Sequence, residues 1–397
     1  MEWGKGICNF RIGSRWVSCL LAAGVAALIG VTPAIAQVQD VHLQIHGFAT
    51  QSFVVSDNNN YLGMNTRSGS TEWTEAALNV NDQVSDKLRV GVQFHYTRLG
   101  VFGGDTPDID WAMGDYTVNR WLGVRAGKVK IRWGLCNDTQ DYDPGYMWSL
   151  LPEPIYGIDI RSTDLSQLGV ELYGDVSISN KLGQLEYSAY YGYYYFASND
   201  GTLESLKESG TNITGQPSGK TPGFDLRWKT PVSGLTLGGS LMMYNAQGTT
   251  TDGTFSEPLT FWSAYYADYS HKKLFASWQY SKLVAYTTTT VTGSDPSTSG
   301  IDERGWFAMG GYHLTDKLQA GAYYTHDLIA SAHDNSDPAN FFRDWAASGR
   351  YDFNEYFYGK VEGHFIDGND VGFYGIDNPN GLKPKTNVLV AKIGFTF

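Results

Sequence analysis

Cysteine is nearly missing from this chain: there are three in 397 residues, and only Cys136 lies beyond the first 36. One cysteine closes no disulfide within its own chain, so a cysteine-stapled scaffold is excluded, and Cys136 reads as an inert thiol. Charge is sparse at 18%, and Lys and Arg number 29 against 41 Asp and Glu, a balance that makes nucleic acid a poor partner. No apolar run after residue 36 reaches the ~18 residues of a membrane-spanning helix. No G-x-S-x-G elbow and no G-x-x-x-x-G-K-[ST] phosphate loop occur, so neither catalysis nor a cofactor is expected. A metal site is not expected either. His42 and His46 share a strand face but stand roughly 13 Å apart at the strand repeat, and Asp367-Gly368-Asn369-Asp370 has the residue types of a calcium loop without its spaced ligands.

What is present begins with Lys5, Arg11 and Arg15, an apolar run from Trp16 to Val31, and Pro33 before Ala34-Ile35-Ala36. A basic region, an apolar region and an A-x-A-like site together read as a secretory signal peptide over residues 1–36, leaving a single domain from Gln37 to Phe397. Cys8 and Cys19 sit before or at the start of the apolar run, which is the wrong place for a lipid-anchoring cysteine. Losing three basic residues and one acid takes the net charge from −12 to about −14.

Glycine (46), tyrosine (26) and tryptophan (12) are abundant. The remaining sequence alternates with a period of two. Leu88, Val90, Val92, Phe94 and Tyr96 fall on one side, with Arg89, Gly91, Gln93, His95 and Thr97 on the other. The pattern recurs at Leu168-Val170-Leu172 against Gly169-Glu171-Tyr173, and at Leu318-Ala320-Ala322-Tyr324 against Gln319-Gly321-Tyr323-Thr325. One face suits lipid and one suits water, as a transmembrane β-barrel requires.

Connections alternate in length. Short polar turns fall at Ser85–Lys87, Asn119-Arg120, Ser179–Lys181, Thr230–Gly234, Ser270–Lys273, Thr315–Lys317 and Phe353–Glu355. Long Gly/Ser/Thr/Asp-rich loops fall near 55–70, 99–108, 131–166, 197–221, 247–258, 286–305, 329–340 and 367–385. Seven short turns and eight long loops predict an all-β, antiparallel up-and-down barrel of about sixteen strands. That leaves about 23 residues for each strand with its connection, enough for strands of about 9 to 11. Strands leaving short turns end in Tyr96, Tyr191 and Tyr193, Trp278 and Tyr280, and Tyr324, the aromatics of a membrane-interface girdle. The closing strand ends Phe395-Thr396-Phe397, and in this it resembles outer-membrane barrels, whose terminal aromatic is read by the barrel-assembly machinery.

The approach to the third long loop holds Gly127, Lys128, Lys130, Gly134, Leu135, Asn137 and Asp141. This resembles a motif of porin-like proteins related to the phosphate-selective porins, with Arg132 where that pattern has Pro. The resemblance implies a third extracellular loop folded into the lumen, a homotrimer in outer-membrane lipid, and passage of small hydrophilic solutes. Lys128 and Lys130 share parity with lipid-facing Leu122, Val124 and Ala126. Either a bulge at Gly127 turns them inward, the favoured arrangement because Arg125 already points to the lumen, or they snorkel above the bilayer. Within the loop, Asp138, Asp141, Asp143, Glu153, Asp159 and Asp164 stand against Arg132 and Arg161, a net of about −4 that predicts weak cation preference. Alternation adds Arg89, Arg125, Glu171, Asp175, Glu186, Asp225, Arg227, Lys360 and Glu362 to the inner wall. The rivals are a sugar channel lined by Tyr173, Tyr190, Tyr194, Tyr244 and Tyr323, a phosphate channel, and a non-conducting structural or adhesion barrel.

If the terminal aromatic is an assembly signal, deleting Phe397 should leave unfolded, protease-sensitive chain in the periplasm. Normal amounts of mature barrel in outer-membrane fractions would refute that role.

Overall fold

A strand with one apolar and one polar face needs an apolar surround on one side and a wet or polar-filled space on the other. Sixteen such strands meet both needs by closing on themselves. The computed structural model describes residues 43–104, 106–179, 181–198 and 200–397; the expected signal peptide, the start at Gln37, and His42 lie outside them. The strands are β1 (Leu43–Ser56), β2 (Ser70–Ser85), β3 (Leu88–Leu99), β4 (Asp108–Asn119), β5 (Leu122–Lys130), β6 (Ser166–Ser179), β7 (Gly183–Tyr195) and β8 (Ile213–Lys229). They continue with β9 (Leu235–Thr250), β10 (Gly253–His271), β11 (Leu274–Val291), β12 (Ser297–His313), β13 (Leu318–Ile329), β14 (Phe341–Asp352), β15 (Phe357–Gly368) and β16 (Lys385–Thr396). Each pairs antiparallel with its sequence neighbours, and β1 pairs with β16 to close the barrel.

Closure is completed at the last residue. Phe397 N–H donates to Gly47 O (3.0 Å) and Gly47 N–H to Phe397 O (3.1 Å). A side chain at residue 47 would meet the Phe397 ring at 2.8 Å, so the glycine is what lets that ring lie over β1.

The two faces are those of the alternation. Leu168 (61% exposed), Phe365 (62%) and Ile393 (55%) point out, and Gln93, Glu171, Asp225 and Glu362 are buried within. Large exposed apolar side chains around the whole wall, with polar ones inside, invert the order of a soluble domain. Tyr191, Tyr193 and Trp278 are exposed on the outer face, and Tyr324 packs on Trp345 at 4.7 Å and Trp306 at 5.4 Å.

All seven short turns fall where expected, but three of the long loops do not. β8 begins at Ile213, the β9–β10 connection is Thr251-Asp252, and the β11–β12 connection is residues 292–296. β8 to β12 thus run 16 to 19 residues, well beyond the expected 9 to 11. The cause is threonine: polar enough to read as loop, it is also β-branched and favours strands. Across these extensions Thr214 bonds Thr249 (2.9 Å) and Thr288 bonds Thr298 (2.9 Å).

Leu172, midway along β6 and facing out, and Thr236, facing the lumen on β9, give a test of the faces. Leu172→Arg should cost about 2–4 kcal/mol at the bilayer and sharply reduce membrane-integrated barrel, whereas Thr236→Arg should fold normally. Equal yields of the two would contradict the face assignment.

Candidate functional site: the third loop and the inner wall

The segment after β5 turns away from the sheet because its side chains find partners across the barrel. Trp133 donates its indole N–H to Trp262 O (2.9 Å), and the two rings lie 4.1 Å apart, tilted by 39°. Gly134 N–H reaches Ser240 Oγ (2.9 Å) with φ at +60°; a Cβ there would come within 2.5 Å of the Tyr156 hydroxyl, so only glycine fits. Leu135 N–H and the Tyr156 hydroxyl both donate to Gln279 Oε1. Further along, Arg350 donates to the carbonyls of Pro144 and Tyr146. Glu362 accepts from the amides of Ser149 (3.0 Å) and Leu150 (2.8 Å). The partners belong to β9, β10 and β11 at one end and to β14 and β15 at the other, so the loop runs across the inside of the barrel.

Charge fixes it further. Asp143 accepts from Lys360 (2.9 Å), Lys392 (2.7 Å) and the Tyr358 hydroxyl (2.7 Å). Asp141 accepts from Lys130 (2.7 Å) and Gln93 (2.6 Å). Arg161, in the short helix α1 (Arg161–Asp164), lies 2.9 Å from a His95 ring nitrogen, 2.9 Å from Thr97 and 3.9 Å from Glu75. On the wall Arg125 bridges Asp115 (3.1 Å) and Glu171 (3.0 Å), and Arg89 also reaches Asp115. Arg132 joins Glu186 and Asp225 at 3.2 Å each, and Arg227 joins Asp225 (2.9 Å) and Asp138 (3.7 Å).

No family model matches this chain, and no curated protein matches it in sequence. Solved structures do match its shape. The trimer form of OmpT, an outer membrane protein of Vibrio cholerae, has a TM-score of 0.56 at 13% identity, over 90% of this chain and all of that one. The outer membrane channel DcaP of Acinetobacter baumannii scores 0.53 at 11% identity, over 90% and 97% of the two chains. An anion-selective porin from Comamonas acidovorans scores 0.52 at 9% identity, over 90% and 100%. The fold is that of the outer-membrane porins.

On this porin fold the expected inward bulge at Gly127 does not form. Pairing of β5 runs unbroken from Gly123 to Lys130 against β6, so parity holds. Gly127 instead allows close approach to β4: φ is +126°, and a Cβ would meet Ala112 O at 2.3 Å. Lys128 therefore stays on the outer side beside Leu168, which it opposes, and lies 5.7 Å from the Tyr195 ring, its ammonium bonded to Ile109 O. It snorkels among the girdle tyrosines and is not a lumen residue. Lys130, the last residue of β5, reaches the inner loop.

The expected net of about −4 in the loop is also corrected. Asp138, Asp141 and Asp143 each have a basic partner. Burial alone would raise the Asp143 carboxyl, but Lys360 and Lys392 hold it well below the usual range. The other three lack such partners among the described residues: burial pushes Asp164 up to about 8, with Asp200 adding to it, and raises Glu153 and Asp159 as well. Burial likewise pushes the Cys136 thiol up to about 12, which keeps it protonated. Of the five inward tyrosines proposed for sugar stacking, Tyr190, Tyr194 and Tyr323 are covered, Tyr323 by Trp148 of the loop at 5.2 Å. Glu75, Arg350 and Lys392 belong to the site and were not among the expected residues. Their signal was alternation: Glu75 and Lys392 are each the lone charge on the inner face of their strand, and Arg350 shares that face of β14 with Asp344 and Asp352.

Three cavities share lining residues with one another. One of about 660 Å³ opens among residues next to the short turns, including Lys229, Ser270 and His313. One of about 260 Å³ lies on the long-loop side, and one of about 40 Å³ lies between, lined by Glu75, Asp143, Glu153 and Arg161. Tyr146 and Trp148 line both the middle and the lower cavity; Ile158 and Arg161 line both the middle and the upper.

Asp143→Asn should leave Lys360 and Lys392 buried without their main counter-charge and cost on the order of 3–5 kcal/mol, seen as a lower temperature at which the folded barrel loses its compact gel migration. Because the Asp143 carboxyl is depressed in the fold, its contribution is complete above the ordinary carboxylate range, about pH 4, and is lost only as pH falls through the lowered value. An unchanged transition at neutral pH would show that the loop does not depend on this contact.

Proposed function

We propose that the chain is a narrow outer-membrane channel for passive diffusion of small hydrophilic solutes and ions, with weak cation preference and no covalent step. The observation that carries this is a closed barrel holding cavities that share lining residues with one another. Of the solved structures of similar shape, one is described as an outer membrane channel and another as an anion-selective porin. The sign we favour differs from the latter because the long-loop side is rich in acids without basic partners. Asp164 and Asp200, with Glu257 on the wall, have no salt-bridge partner among the described residues. Asp200 caps α2 (Gly201–Glu208) through the Thr202 amide. Three copies in the membrane belong to the same reading, the OmpT structure being described as a trimer form.

A non-conducting barrel is the second reading, favoured by the middle cavity, whose ~40 Å³ holds only about one to a few waters. Planar-bilayer recording separates the two. The channel reading expects small, steady conductance steps, and their absence from folded, inserted protein would support the structural barrel.

The cation preference should depend on pH. Burial raises Asp200 to about 7 and Asp164 to about 8, so both are largely protonated below those values and ionise above them. In a salt gradient the reversal potential should become more cation-like from about pH 6 to about pH 9, and Asp164→Asn with Asp200→Asn should flatten that change. A flat wild-type profile would remove these acids from the account of selectivity.

A further inference from the structure

One group of inner-wall acids is left without any counter-charge. Glu303 on β12 and Asp327 on β13 face the lumen as diagonal neighbours, since Glu303 pairs with Ile329 and Gly305 with Asp327. Asp370 comes to the same rim from the eighth long loop, its amide donating to Phe341 O where β14 pairs with the end of β13. Burial and the charge of Glu303 raise the Asp370 carboxyl well above the usual range.

Two acids deeper in the barrel are satisfied. Asp344 bonds His364 at 2.7 Å, and Glu362 bonds His364 and two loop amides. Among the described residues Glu303, Asp327 and Asp370 have no Lys, Arg or His within salt-bridge distance. Asp327 is 1% exposed, and its Oδ2 has no hydrogen-bond partner at all. Its Oδ1 lies over Gly305, where a Cβ would stand 2.7 Å away, so that glycine keeps the space beside the carboxyl open. Glu303 and Asp370 are half-buried, and both lie close enough for their charges to act on the Asp327 carboxyl. A buried, unpartnered carboxyl near two others is costly, and a bound cation is the partner that would relieve it.

A single metal ion does not fit: among the described residues no three His, Cys, Asp or Glu side chains are arranged to hold one. The diagonal spacing of two inner-face residues, roughly 7–8 Å, is one that a short alkyl chain spans with an ammonium at each end. We propose that Glu303, Asp327 and Asp370 form a binding site for an organic diammonium cation on the long-loop side of the lumen. The site deepens the channel reading by naming a class of cation, and it rests on that reading only for what happens to the ligand after binding.

Calorimetric titration of the folded, detergent-solubilised barrel with putrescine in low salt tests it without requiring conduction. Saturable binding is expected, with methylammonium and magnesium binding more weakly. Asp327→Asn should weaken putrescine by about tenfold or more, and Asp334→Asn on the exposed seventh loop should not. Should Asp327→Asn fail to fold, Glu303→Gln with Asp370→Asn, both half-buried, should give the same loss. No binding, equal binding of methylammonium or magnesium, or undiminished binding in the folded variants would overturn the proposal. Putrescine binding to a barrel that does not conduct would uphold the site and sink the channel, whereas conduction without putrescine binding would do the reverse.

Discussion

In hydrocarbon a backbone amide has no partner but another amide, and every other feature of this molecule follows from meeting that requirement. Sixteen strands meet it by pairing round to the first, with the Gly47–Phe397 pair as the seam. Closure then forces a second problem inward. A ring of that size encloses more space than its own inner side chains fill, and the third loop is the filling. Its tryptophan packed on Trp262 and its glycine at φ +60° set one end against β9 to β11, and the carboxylate of Asp143 sets the other against β15 and β16.

The barrel was legible because its determinants are local. Period-two patterning, turn residues and girdle aromatics are read a few residues at a time, and they placed all seven short turns and both faces. The strand extensions were hidden by threonine, whose hydroxyl suggests a loop and whose branched Cβ suggests a strand. Cross-strand pairing decides between the two, and that is a property of two segments, not one.

The site was legible in part, and the errors share one cause. Alternation puts Arg125, Glu171, Glu186, Lys360 and Glu362 on one face of their strands, because parity is a backbone property. Residue type misjudged the loop acids because charge is a property of pairs. Asp143 and Asp164 look alike in sequence; one has two lysines within 2.9 Å, and the other has burial and a second acid. Lys128 failed for a related reason, since the sequence cannot say how high on the wall a residue sits, and at girdle height an outward lysine costs little.

The distribution of paired and unpaired charge has a direction. Around the middle cavity most acids stand beside bases: Asp143 with Lys360 and Lys392, Glu75 with Lys392 and Arg161, and Asp141 with Lys130, while Glu153 has none among the described residues. Such a lattice contributes little net field, and its work is to hold the loop in one place, because leaving any partner unpaired in that low-dielectric space is costly. Toward the long loops the balance is lost, and among the described residues Asp164, Asp200, Glu257, Glu303, Asp327 and Asp370 have no basic partner. Had those acids been there for stability, apolar residues would have served better at no desolvation cost. On the channel reading proposed above, cations visiting the lumen would offset that cost, and the narrow gap beneath would act on size where these acids act on sign.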